Sequence, residues 1–186
     1  MNKIIKRAKN NVVNQKRKYL FLTIIMTIGI ISGIIFIFFI SKEDKSLVKQ
    51  ELELLFSNIK DNKLNYGNSL INSVSSSLVY LSIIWILGVS IIGIPVVIFM
   101  LFLKGFVFGF SISSIIANYG FNGVILGFIT QIPSNLILLI IYLLMGFYAI
   151  NFSIRLFQVL FFKKEVNLSF YFKRYNQIAL ISLGCI

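Results

Sequence analysis

The chain has no histidine and a single cysteine, Cys185, among 186 residues. An intrachain disulfide framework is therefore excluded, as are the common His-containing zinc sites and the Ser-His and Cys-His arrangements of nucleophilic catalysis. Acidic residues number only 6, and none of them lies inside a long apolar run. This removes the paired buried carboxylates of acid–base chemistry and the intramembrane carboxylate expected of a proton- or cation-coupled carrier. Proline occurs twice, at Pro95 and Pro133, so the places where a helix must break are few. No Walker loop, metal-ligand cluster or internal repeat is found in the sequence. These absences predict a protein without enzymatic activity, bound cofactor or metal.

What is abundant is apolar. Hydrophobic residues make up 58% of the chain and charged residues 13%, and the apolar residues lie in runs too long for a soluble core. The expected fold class is all-α: a polytopic membrane helix bundle with about four or five transmembrane helices. The formal net charge of +12 follows the ends of those runs rather than a soluble recognition face, so it is read as a topology signal and not as nucleic-acid binding.

Residues 1–18 form a basic arm carrying Lys3, Lys6, Arg7, Lys9, Lys16, Arg17 and Lys18 with no acid. Such an arm suits the cytoplasmic side and an anionic lipid leaflet, each cation adding about 1 kcal/mol of attraction near the surface. Residues 19–40 are mostly apolar and long enough for a first span across ~30 Å of hydrocarbon. The loop 41–69 has balanced charge and belongs on the outside. Within it Val48, Leu52, Leu55, Phe56 and Ile59 share one helical face, predicting a short amphipathic helix that either rests on lipid or docks a partner.

Spans are then expected over 70–93 and 96–118, with the turn at Gly93 to Pro95, or else at Lys104. A short half-helix over 121–132 follows, either re-entrant or joined to the next span across a proline kink, with Gln131, Pro133 and Asn135 marking the break. The next span covers 134–154. Residues 155–176 form a basic cytoplasmic segment with interfacial aromatics, and 177–186 read as the start of a truncated fifth span.

The densest pattern lies between 104 and 135. Gly105, Gly109, Ser113 and Ala117 recur every fourth residue, and Gly123 and Gly127 repeat the spacing, so each set forms a strip of small side chains along which another helix can approach closely. The phrase Lys104-Gly105-Phe106 to Gly109-Phe110, the turn Tyr119-Gly120-x-x-Gly123, Gln131-Ile132-Pro133-x-Asn135 and the apolar helix ending in Asn151-Phe152-Ser153 together resemble the stage II sporulation protein M family. In layout the resemblance runs from residue 1 to about 176, although its specific words lie between 104 and 153. It implies a scaffold of the sporulation septum in the bacterial cell membrane. There it would recruit a peptidoglycan amidase and a lytic transglycosylase during engulfment, without catalytic residues of its own. A different class also stays open: a small transporter or channel subunit built on the glycine-rich broken helix, with Lys104 as its one charged intramembrane residue.

Overall fold

The computed structural model describes residues 2–60, 66–130, 132–162 and 167–184, and every element among them is helical. Helix α1 (Asn2–Phe39) is followed by α2 (Lys42–Lys60), α3 (Tyr66–Gly88), α4 (Gly93–Thr130), α5 (Ile132–Phe162) and α6 (Leu168–Gly184). Segments 15–39, 71–88, 93–121 and 135–162 are each long and apolar enough to cross a membrane. In hydrocarbon every backbone polar group must find a partner within the chain, which leaves the helix as the available conformation for such segments. Polar side chains obey the same constraint. Thr23, Thr27 and Ser32 donate to the carbonyls of Tyr19, Thr23 and Ile28, four residues back in each case.

Several boundaries differ from those expected. The basic arm is not a separate element: α1 runs unbroken for 38 residues, roughly 57 Å at 1.5 Å per residue, because nothing between the arm and the span interrupts the helix. The turn expected at 93–95 comes at 89–92, with Pro95 in the first turn of α4, where its missing N–H costs nothing. Lys104 lies well inside that helix. At the far end, the segment expected to be interfacial from 155 onward is the continuation of α5 to Phe162, and α6 begins before the apolar run does, at Leu168. Polarity marks where a chain leaves lipid, whereas a helix stops only when its backbone geometry or capping changes.

Helix α2 starts at a polar cap that the sequence spells out. The Ser41 hydroxyl accepts from the Asp44 backbone N–H at 3.1 Å and donates to the Asp44 carboxylate at 2.8 Å. The break inside α4 has an equally local cause. Gly120 adopts φ 56° and ψ −133°, a conformation closed to most other residues, and the chain reverses there. The reversal is tight enough that a Cβ at Gly123 would stand 2.5 Å from the Ile115 carbonyl oxygen. Residues 121–130 are thus a separate short helix folded back on the end of the longer one.

The bundle is built around α5, which packs against α1, α3, α4 and α6. Its residues Tyr142, Met145 and Ala149 are at most 1% exposed, and they meet Ile84 of α3 and Leu101 of α4 in one apolar cluster. The surfaces turned away from this core remain apolar: Ile24, Ile28, Ile31 and Ile35 of α1 are all exposed, as a lipid-facing helix requires. The heaviest single pairing, however, is α1 with α4.

Candidate functional site

That pairing is a reciprocal crossing of two glycine rows. A Cβ at Gly29 would run into the Phe102 carbonyl and one at Gly33 into the Phe106 carbonyl, while one at Gly105 would meet the Met26 carbonyl and one at Gly109 the Ile30 carbonyl. Each backbone therefore sits in the space that the other helix's missing side chains leave open, which is how helices associate in lipid without a hydrophobic driving force. Phe36 of α1 closes the crossing, with its ring edge-on to Phe106 at 5.4 Å and to Phe110 at 6.0 Å.

Of the expected strip, Gly105, Gly109 and Ser113 are buried, and Ser113 donates to the Phe110 carbonyl at 3.0 Å. Ala117 departs from it: it is exposed, and it lines a cavity with Asn118, Ile37 and Val48. Gly123 makes the close approach to Ile115 already described, and the surroundings of Gly127 lie outside the described residues. The partner row, Gly29 and Gly33, is visible in the sequence as a small pair, but nothing in its spacing names α4 as its mate.

The residues marking the broken helix separate. Pro133 is exposed in the first turn of α5, Gln131 lies outside the described residues, and Asn135 lines a cavity of about 60 Å³ with Lys104 and Tyr142. Lys104 has its ammonium 4.4 Å from the centre of the Tyr80 ring and 5.0 Å from that of Tyr142. The two rings are packed edge to face at 4.8 Å, so this cation inside α4 is held by aromatic faces. The Tyr80 hydroxyl is itself engaged, donating to the Met100 carbonyl.

At the opposite end of α4 the structure assembles a cluster that spacing alone does not reveal. A helix leaves its last four carbonyls without intrahelical donors, and those of α3 belong to Trp85, Ile86, Leu87 and Gly88. All four are met. Val89 N–H donates to Ile86 and Ser90 N–H to Leu87, at 3.2 and 3.0 Å. Tyr175 of α6 donates its hydroxyl to Trp85 at 3.0 Å, and Ser153 of α5 places its hydroxyl 2.7 Å from the Gly88 carbonyl and 2.9 Å from that of Ser90. Gly88 has to be glycine for this, since a Cβ there would strike the Tyr175 hydroxyl. Phe152 stacks on the Tyr175 ring at 5.5 Å, and Asn151 accepts from the Lys18 ammonium at 2.9 Å. Asn151-Phe152-Ser153 thus ties α5 to α1, α6 and α3 with three consecutive side chains.

The expected docking face lies on α2, whose main contact with the bundle is with α4. Val48 and Leu52 are half-buried, and Val48 faces the cavity it shares with Ala117. The side chains of Leu55, Phe56 and Ile59 lie outside the described residues. Among the described side chains of α2, two apolar residues not counted in that face, Leu47 and Leu54, are exposed, at 58% and 50%, seven residues apart on one side of the helix.

No curated protein and no solved structure matches the chain. The family model described as stage II sporulation protein M matches residues 20–186, which takes in the glycine crossing, α2, the broken helix and the Asn151-Phe152-Ser153 tie. The chain belongs to the stage II sporulation protein M family, and it is a sporulation-related protein of the membrane.

Proposed function

We propose that the protein is a non-catalytic membrane scaffold of the engulfment machinery, recruiting a wall amidase and a lytic transglycosylase at the sporulation septum and holding them against the wall. Family membership supports the process, and α2 supports the mode of action. It is the largest polar element, it stands at the edge of the bundle, and it exposes Leu47 and Leu54 at helical spacing, a pattern suited to a partner's apolar groove. In this reading the N-terminus and residues 155–176 are cytoplasmic and residues 41–69, with α2, are outside, following the seven cations of the basic arm against the balanced charge of 41–69. The transporter reading has its focus at Lys104, whose ammonium lies over the Tyr80 and Tyr142 rings beside a cavity of about 60 Å³.

Leu47→Glu combined with Leu54→Glu should abolish co-purification of the hydrolases from membranes of sporulating cells while leaving protein abundance unchanged. Leu52→Glu with Leu55→Glu tests the other face of the same helix. Full recovery of both hydrolases with both pairs would remove α2 as the dock. Orientation is tested separately with single cysteines at positions 10 and 62 in a Cys185→Ser background, probed by an impermeant thiol reagent on protoplasts; position 62 should label and position 10 should not.

A further inference from the structure

The basic end of the bundle holds a pocket between α1, α5 and α6 in which cations face one another with no counter-charge among the described residues. Arg155 is half-buried with its guanidinium 4.4 Å over the Tyr171 ring, and Arg174 lies 5.8 Å over the Tyr148 ring. Both line one cavity of about 70 Å³ with Asn151 and Phe147. Lys18 stands at its edge, bonded to Asn151 and close enough to Arg155 for their charges to repel. Among the described residues the acids all belong to α2, and the one ion pair, Lys49 to Glu53, is there too. Neither guanidinium donates a hydrogen bond to another described residue. Arginine presents five donors in a planar fork, and aromatic stacking fixes that plane while leaving its edge free.

Next to this pocket runs a second cavity of about 210 Å³ whose lining is apolar: Phe21 and Leu22 of α1, Ile94 and Ile98 of α4, and Ile150 and Ile154 of α5. Phe147 is a wall of both cavities, and Lys18 crosses from one to the other, its stem in the apolar cavity and its ammonium on Asn151. A cationic fork held on aromatic rings, with no acid beside it among the described residues and an apolar slot adjoining it, has the shape of one kind of ligand.

We propose that this end of the bundle is a binding site for a single anionic phospholipid, with its headgroup phosphate taken by Arg155 and Arg174 and one acyl chain lying in the apolar cavity. Charge complementarity selects the phosphate, since a charge-assisted, bidentate guanidinium–phosphate contact is among the stronger hydrogen-bonded pairs. The slot selects a lipid over a free anion. The site does not depend on the scaffold reading, because no hydrolase takes part in it.

The test uses the full chain purified in neutral detergent, with lipid retention read by native mass spectrometry and by thermal unfolding. Phosphatidylglycerol should be retained at about one molecule per protein and should raise the unfolding temperature, whereas phosphatidylcholine should do neither. Arg155→Gln with Arg174→Gln should weaken retention roughly tenfold or more, as the loss of charge-assisted contacts implies. Lys16→Gln with Arg17→Gln removes the same charge from exposed positions outside the pocket and should leave retention intact. Equal losses from the two pairs would overturn the proposal in favour of general surface attraction. If inorganic phosphate or glycerol phosphate displaced the lipid at matched concentration, the occupant would be a soluble anion and the proposal would also fail. Should the first pair not be recovered folded, Arg174→Gln alone carries the test, since that residue is exposed.

Discussion

Adding one methyl group at the crossing of α1 and α4 should weaken the bundle measurably. A Cβ at Gly33 would stand 2.7 Å from the Phe110 nitrogen, and one at Gly109 would stand 2.9 Å from the Ile30 carbonyl carbon, while ordinary contact begins near 3.4 Å. The obstacle is backbone in each case, so no rotamer change relieves it, and the helices must part by at least about 0.7 Å. A gap of that order forfeits between roughly a quarter and a half of each dispersion contact along the crossing. Gly109→Ala should therefore cost about 1–3 kcal/mol, in the range of other overpacked interiors. Val107→Leu, on the exposed side of the same helix, should cost almost nothing. Because Gly33→Ala opens the same gap, the double variant should lose clearly less than the sum of the two single losses. Titration from neutral micelles into denaturing detergent gives these differences, followed by the fluorescence of Trp85, the one tryptophan, whose indole donates to Asn176 at 3.0 Å. The reasoning is refuted if Gly109→Ala behaves like Val107→Leu, or if the two glycine changes add fully.

Two further outcomes follow from local geometry. Ser153→Ala removes the donor for the Gly88 carbonyl and should cost about 1–3 kcal/mol in the same titration, while Ser169→Ala, at an exposed position, should be neutral. Gly120→Ala meets open space but has to hold φ at 56°, so it should cost about 1–2 kcal/mol, whereas Gly184→Ala, also in open space and within a helix, should be neutral or slightly stabilising; equal effects would show that the reversal at residue 120 is not held by its backbone.

The helices were readable because apolar runs in lipid have one backbone solution, and the face of α4 was readable because Gly105 and Gly109 repeat with the helical period. Its mate was not. Gly29 and Gly33 carry the same period, but a small strip states only that something approaches, and the choice of α4 rests on contacts between residues some 70 positions apart. Arg155 marks where polarity returns but not where the helix ends: α5 continues to Phe162, and the guanidinium rests on Tyr171, a ring supplied by α6 that no local pattern names. The capping of α3 was hidden for a related reason: Ser153 and Tyr175 belong to other helices, and no local pattern distinguishes a serine that closes a distant helix from one that bonds its own. Likewise Leu47 and Leu54 fell outside the apolar face counted on α2, and only their exposure sets them apart.

The closed end of α3 also has a history in time. When the ribosome has delivered α3 and α4, the carbonyls of Trp85 and Gly88 have no protein donor, and water at the membrane boundary has to serve them. The serine that replaces that water at Gly88 is 65 positions further along, and the tyrosine that replaces it at Trp85 is 90 positions along. A hairpin inserted ahead of α5 and α6 would therefore be wet at this end and would dry only once both had been made. A nascent chain halted before residue 153 would carry a hydrated notch where the finished protein has a seal.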